Sequence, residues 1–453
     1  MLYRIKRTLT ALVRTIKRAF QTVSRFFFRL RYSHKPLFIA MIAAAVFLVL
    51  GAGVLGFVIR GNGPSHKDES QNGTPAMTSG AGEQTKAPAS ASGETTDAAE
   101  KETASPGTKA EYEEITGYYG LLLSEKDQIT YQEIVQGLEE GQESIALTGA
   151  DASNIETVYK AVCNDYPEFF WLTGGYSFET TTYLFGGSGS FVLKPDISYD
   201  QEKLKDLREA FSAKAEEILR GAPVDDVYEK ILYIHDYIVD QTSYDYDDYI
   251  NNRLSPDDES YNAYGCLVQH SAVCAGYSEA FQWLMKVSGI PCICVSGKSL
   301  KNGENHAWNC VMIDDAYYYI DVTWDDPVHT DGGPETIEHD YFCITTAELL
   351  ETHIIEPGQN EPMCVDNKYD YYVHNGRWFD HYDREELLQV IRNDIGSGKN
   401  ISEFKFSSKE DAVQAYNELM EDNRLYEISS ANRLVFRKSG NERIFSVEFV
   451  REQ

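Results

Sequence analysis

Among eight cysteines and ten histidines, one small set stands in an order suited to nucleophilic catalysis. A thiol attacks carbonyls as its thiolate, the form that helix N-termini and adjacent imidazolium groups favour. Cys274 opens the stretch Cys274 to Ser288, which carries Tyr277, Phe281, Leu284 and Met285 on one helical face and Gly289-Ile290-Pro291 as its stop. The pattern predicts a helix with Cys274 at its N-terminus, where unpaired backbone N–H groups point outward. Ala275 and Gly276 leave room beside it for a carbonyl. Taken alone, an ordinary half-buried cysteine is the simpler explanation.

A downstream hairpin changes that balance. His306 to Ile313 and Tyr317 to Thr323 read as strands joined by a turn at Asp314-Asp315. With Ile313 opposite Ala316, counting back sets His306 opposite Thr323 and Trp308 opposite Asp321. His306 and Asp321 then share a face as diagonal neighbours, roughly 7–8 Å apart at the backbone. One ring nitrogen can bond the carboxylate while the other faces a thiol, the arrangement by which a nucleophile, a base and a carboxylate act together.

Asp225 or Asp226 caps a helix whose Val227, Ile231, Ile234 and Ile238 form one apolar stripe. A Tyr/Asp-rich loop, Ser243 to Tyr264, leads to the Cys274 helix, and a strand from Cys292 to Ser296 precedes the hairpin. Tyr264-Gly265-Cys266-Leu267-Val268-Gln269-His270-Ser271-Ala272-Val273-Cys274-Ala275-Gly276-Tyr277, Gly289-Ile290-Pro291, His306-Ala307-Trp308-Asn309 and Tyr319-Ile320-Asp321-Val322-Thr323-Trp324-Asp325-Asp326 together resemble the successive motifs of the transglutaminase-like superfamily, over roughly residues 225 to 330. The resemblance implies an α+β, papain-like core, the cysteine-bearing helix packed on an antiparallel sheet. It implies Cys274 as nucleophile, His306 as general base and acid, and Asp321 as the group orienting the histidine. Cys266 departs from the commoner small residue. For a second oxyanion donor, Gln269 sits where papain-like enzymes often use an upstream glutamine, with the Tyr264 hydroxyl as rival; packing or surface roles are the simpler explanation of both. Trp308 is a candidate cleft wall, and Trp324 reads as a core aromatic.

Other clusters carry less. Asp245, Asp247 and Asp248 lack the spacing and closing Glu of a calcium loop and read as a cleft rim. Cys292-Ile293-Cys294 is C-x-C without a second pair, so buried strand cysteines are expected rather than a metal site. His235-Asp236 reads as a core or surface hydrogen bond. No phosphate loop or dinucleotide fingerprint occurs, and neither metal nor cofactor is expected. With a nucleophile set aside, seven cysteines remain, an odd number, and few or no disulfides are expected.

Charge divides the chain. Residues 1–60 hold 11 Lys and Arg and no Asp or Glu, while the whole chain has 41 basic and 71 acidic residues, leaving 30 basic against 71 acidic beyond residue 60. So acidic a body repels phosphate backbones, and nucleic acid is excluded as a partner. Leu37 to Ile59 is an uncharged apolar run long enough to cross a bilayer, expected to be one transmembrane helix. The basic flank before it directs residues 1–36 to the cytoplasm and the rest outside. Ile5, Leu9, Leu12, Ile16, Phe20, Val23 and Phe27 recur at helical spacing, which suits an amphipathic segment on the anionic inner leaflet.

The expected organisation is therefore 1–36 basic segment, 37–59 membrane anchor, 60–110 flexible tether poor in large apolar residues, 111–220 α+β extension, 221–345 catalytic core and 346–453 small α+β domain. Helices are expected at Ile155 to Val162 and Glu202 to Leu219, and strands near Phe169 to Tyr176 and Ser190 to Leu193. Beyond 346, Tyr371 to Trp378 reads as a hairpin on Asn375-Gly376, Ser408 caps a helix to about Glu421, and Arg433 to Lys438 pairs with Arg443 to Val450. The expected function is a single-pass, extracytoplasmic thiol acyl-transfer enzyme acting on protein or peptide amides and passing the acyl group to water or to an amine. The alternative is a catalytically silent scaffold or protein-binding module on the same fold.

Overall fold

A computed structural model describes residues 57–62, 117–182, 190–251, 253–255, 258–327 and 337–451. The chain divides into one unit of residues 1–59 and 180–190 and another of 60–179 and 191–453; the site lies in the second. The amphipathic segment 1–36, most of the expected anchor and most of the tether fall outside the described residues. Phe57 to Ile59, the end of the apolar run, open a strand, Phe57–Asn62. No helix among the described residues is long and apolar enough to cross a membrane.

Helix α1, Val227–Gln241, starts where the Asp226 carboxylate accepts the N–H of Glu229 at 3.1 Å. It buries Ile231, Ile234, His235 and Ile238, while Val227, assigned to the same stripe, is exposed because it lies in the first turn. Helix α2, Cys274–Val287, buries Tyr277, Phe281, Leu284 and Met285 and ends before Gly289, whose positive φ (69°) favours a residue without Cβ. Its N-cap, Val273, offers no side-chain acceptor.

Five antiparallel strands follow: β1 (Cys292–Ser299), β2 (Asn305–Ile313), β3 (Ala316–Ile320), β4 (Phe342–Ile344) and β5 (His353–Ile355), in the spatial order β4-β3-β2-β1-β5. Asp314 and Asp315 both adopt positive φ (49° and 62°), the type I′ geometry that matches strand twist. Register runs from Ile313 opposite Ala316 to Asn309 opposite Ile320. There the ladder stops: Asp321 turns away, its N–H donating to Tyr341 O at 3.2 Å. Helix α2 packs on this sheet, and the Asn309 amide donates to Ser278 O at 2.9 Å.

Upstream, helices Glu125–Glu139, Ile155–Asp165 and Gln201–Arg220 and strands Leu172–Thr182 and Ser190–Ile197 precede the sheet. One hydrophobic core runs from Tyr118 to Cys364, so much of the 111–220 stretch shares its interior with the sheet. A second core joins Phe379, Leu388, Phe404, Phe406 and Phe445. It is built on strands Trp378–Phe379, Ile401–Phe406, Arg433–Lys438 and Ile444–Val450 with helices Arg384–Gly396 and Lys409–Met420. The hairpin expected at Tyr371 to Trp378 is absent. Asp370 instead caps a short helix, Tyr371–His374, accepting from the N–H groups of Tyr372 and Val373. Asn375 keeps φ at −88° and only Gly376 is left-handed, so Asn-Gly ends a helix, and Trp378–Phe379 pairs in parallel with residues 405–406.

Candidate active site

The site forms where three elements meet: the N-terminus of α2 with Cys274, the start of β2 with His306, and the turn after β3 with Asp321. His306 Nε2 donates to Asp321 Oδ2 at 2.6 Å. The Cys274 side chain also interacts with the His306 ring and favours its charged form; with Nε2 committed to the carboxylate, Nδ1 is the ring nitrogen left for the thiol. Asp321 Oδ1 accepts the backbone N–H groups of Thr323 and Trp324, each at 3.1 Å.

All three side chains are nearly inaccessible: Cys274 is 2% exposed, His306 8% and Asp321 1%. Burial is the largest influence on His306 and opposes its charge, yet the Asp321 charge and hydrogen bond, with Cys274 adding to them, raise its pKa from 6.5 to about 10. Burial opposes the charge on Asp321 too, and His306 and His353 overcome it, holding the carboxyl below its usual range. At neutral pH the pair is an imidazolium on a carboxylate.

Two cavities meet at Asn305 and His306. The larger, ≈ 390 Å³, includes Ala275, Tyr159, Phe170 and Ile354 in its walls. Glu279, one turn along α2, also lines it, and burial pushes its carboxyl up to about 8, so at neutral pH it presents a hydroxyl rather than a charge. The smaller, ≈ 300 Å³, is walled by Tyr244, Tyr249, Glu304, Trp324 and Asp326. Cys274 lines neither cavity, while its neighbour Ala275 lines the larger and His306 lines both.

Tyr264 and Gln269 line neither cavity. The Tyr264 ring stacks on Phe170 with centroids 5.0 Å apart, and Gln269 is exposed with its amide donating to Glu259. A left-handed His270 (φ 61°) ends the π-helical stretch Gly265–Gln269. Trp308 is 1% exposed and lines no cavity. Trp324 is the tryptophan at the cleft, stacked on His306 at 5.0 Å. Tyr244, Tyr249 and Tyr261, from the loop read as a rim, are the tyrosines whose ionisation the Cys274 charge opposes. Burial first and then the Cys274 charge push Tyr249 and Tyr261 up to about 12, which keeps them donors. Asp245 accepts from Ser260 Oγ at 2.8 Å and Asp248 pairs with Arg253.

Two trios of side chains bring potential ligand atoms within 4.8 Å of one another: His306, Asp321 and His353, and separately His235, Asp236 and His339. In the second, Asp236 Oδ1 accepts from His235 Nδ1 at 2.9 Å and His339 Nε2 at 3.0 Å, and His235 Nε2 faces Asp325 Oδ2 at 3.2 Å. Hydrogen bonds account for both trios. All eight cysteines are free, with Cys292 and Cys294 in β1.

Residues 212–322 match the family model of the transglutaminase-like superfamily, and the chain has a transglutaminase-like fold within a mixed α/β structure. No curated protein matches. Among solved structures, a TGase is 16% identical (TM-score 0.24), covering 32% of this chain and 44% of its own. A candidate cysteine protease from Cytophaga hutchinsonii is 18% identical (TM-score 0.21), covering 32% and 61%. The periplasmic domain of TgpA from Pseudomonas aeruginosa bound to ethylmercury is 15% identical (TM-score 0.20), covering 30% and 56%. The chain thus spans 44 to 61% of the length of these structures.

Proposed function

We propose that this chain is a thiol acyl-transfer enzyme acting on protein or peptide amides outside the membrane, with Cys274 as nucleophile, His306 as base and acid, and Asp321 orienting the histidine. The observation that carries the reading is the chain of contacts from Cys274 through the His306 ring to a buried carboxylate, all within the superfamily match. Cys274 Sγ attacks the amide carbonyl, helped by the outward N–H groups of the first turn of α2. The tetrahedral adduct collapses as His306 gives its proton to the departing amine. Water or a second amine then attacks the thioester, His306 takes the attacking group's proton, and the thiol is released. The extracytoplasmic setting rests on the basic residues before the apolar run at 37–59.

The test is mass spectrometry of peptide mixtures incubated with the full-length chain, with and without a primary amine such as cadaverine. Cleavage, deamidation or amine incorporation that disappears in Cys274→Ala is the expected result. Identical products from the wild-type chain and Cys274→Ala would refute the assignment.

A further inference from the structure

Asp321 serves two histidines. The oxygen that accepts from His306, Oδ2, also lies 3.0 Å from His353 Nε2. His353 stands 32 residues downstream and returns to the site because β5 pairs with the outer edge of β1, setting His353 opposite Ser299. Gly297 permits that approach, since a Cβ there would collide with the Ile354 carbonyl oxygen and the Trp308 ring.

We propose that His353 is a positioning residue for the acyl-transfer reaction: a neutral imidazole whose Nε2–H fixes the Asp321 carboxylate in the orientation His306 requires. The inference rests on the Cys274-His306-Asp321 reading above.

An ionised carboxylate can only accept, so the hydrogen between His353 and Asp321 belongs to His353 Nε2. Nδ1 faces Thr352 Oγ1 at 2.9 Å, and the hydroxyl divides its hydrogen between that nitrogen and Leu349 O at 3.3 Å, an arrangement a neutral ring with Nδ1 as acceptor can use. Burial, the largest influence, pushes the His353 pKa down, and Asp321 pulls the other way without reversing it. Two imidazoles on one oxygen therefore differ in charge: His306 is the cation and His353 the neutral donor.

The surroundings fix the second ring. Its centroid lies 4.2 Å from that of Trp324, 4.7 Å from Trp308 and 5.5 Å from Tyr341. With Oδ1 held by two backbone N–H groups and Oδ2 by two imidazoles, all four acceptor directions of the carboxylate are taken. Loss of the His353 donor frees Oδ2 to follow His306 instead of directing it, and Nδ1 loses its aim at the thiol.

The experiment uses p-nitrophenyl acetate as acyl donor and the full-length chain, measuring the acylation rate at Cys274 and the melting temperature. His353→Gln keeps an N–H donor at similar reach; His353→Met has similar length and no donor. The expected result is an acylation rate about tenfold lower in the Met variant, the lower end of what is lost when an orienting group is removed, with the Gln variant within about threefold of wild type and both melting alike. Equal rates for Gln and Met would overturn the role of His353 while leaving the triad standing. A wild-type rate no faster than that of His306→Ala would overturn the triad reading and this inference with it. Should the Met variant fail to fold, His353→Phe, which keeps a flat ring among the tryptophans, takes its place against Gln.

Discussion

Replacing Asp321 with Asn removes one charge at nearly constant shape, and the structure says what should follow. His306 sits at about 10 rather than 6.5 because Asp321, with Cys274 adding to it, outweighs the burial that opposes its charge. At 1.36 kcal/mol for each pH unit, the difference is ~5 kcal/mol, an upper bound because Cys274 remains and the pocket relaxes. A folded-state value above the unfolded one means that this contribution is fully present below about pH 6.5 and is lost as pH rises towards about 10. The wild-type chain should therefore lose urea stability between pH 7 and 10, followed by tryptophan fluorescence, which Trp308 and Trp324 report from beside His306. In Asp321→Asn burial wins, His306 becomes neutral below pH 6.5, and the variant should start ~2–5 kcal/mol lower at pH 7. Tyrosines and other groups titrate in the same range, so the informative quantity is the difference in slope between the two proteins. An identical slope in both would refute the claim that Asp321 sets the charge of His306.

Lys405 is 0% exposed, with its ammonium 2.8 Å from Glu348 and 2.5 Å from Asp370; Lys405→Met strands two buried carboxylates and should cost ~3–5 kcal/mol in chemical denaturation. Gly297→Val drives a side chain into Ile354 and Trp308 and should cost ~1–3 kcal/mol, with faster amide exchange along His353–Ile355 as the specific sign that β5 has come away. Asp226→Ala removes the cap of α1 and should lower stability by ~1 kcal/mol, read from thermal melts.

What the sequence disclosed follows the range of the interactions involved. Helices α1 and α2 were legible because their apolar residues repeat over three or four turns beside a capping Asp or a Gly-Ile-Pro stop. The His306–Asp321 contact was legible because two consecutive aspartates mark the turn and the side-chain period of two fixes the rest; the ladder itself ends at Asn309 and Ile320, short of the counted pairing of His306 with Thr323. His353 was not legible, since a three-residue strand shows no periodicity and its pairing with β1 leaves no local mark. Glu279 reads as a solvent-facing helix residue until the wall opposite it is known. The Asn375-Gly376 hairpin failed because a local signal met a stronger local competitor, the Asp370 carboxylate bonding two N–H groups at once. Gln269 is exposed and bonded to Glu259, a placement that distance along the chain does not disclose.

The segment from Asp321 to Asp326 explains how Cys274, His306 and Asp321, so far apart in sequence, can hold one geometry. Asp321 grips His306 on β2 and His353 on β5. Asp325 accepts the Tyr341 N–H at 3.0 Å and meets His235 of α1 at 3.2 Å. Asp326 accepts the Tyr277 hydroxyl of α2 at 2.6 Å, three residues from Cys274. Each of these carboxyl groups is buried or partly so, where an unpaired polar group or charge is expensive, so each is held to its partner. The turn's three carboxyl groups thereby tie both helices and two strands together, and the orientation of His306 is set by the whole core. This is the rigid backing that a buried thiol needs if its imidazole is to stay aligned as an acyl group arrives and departs.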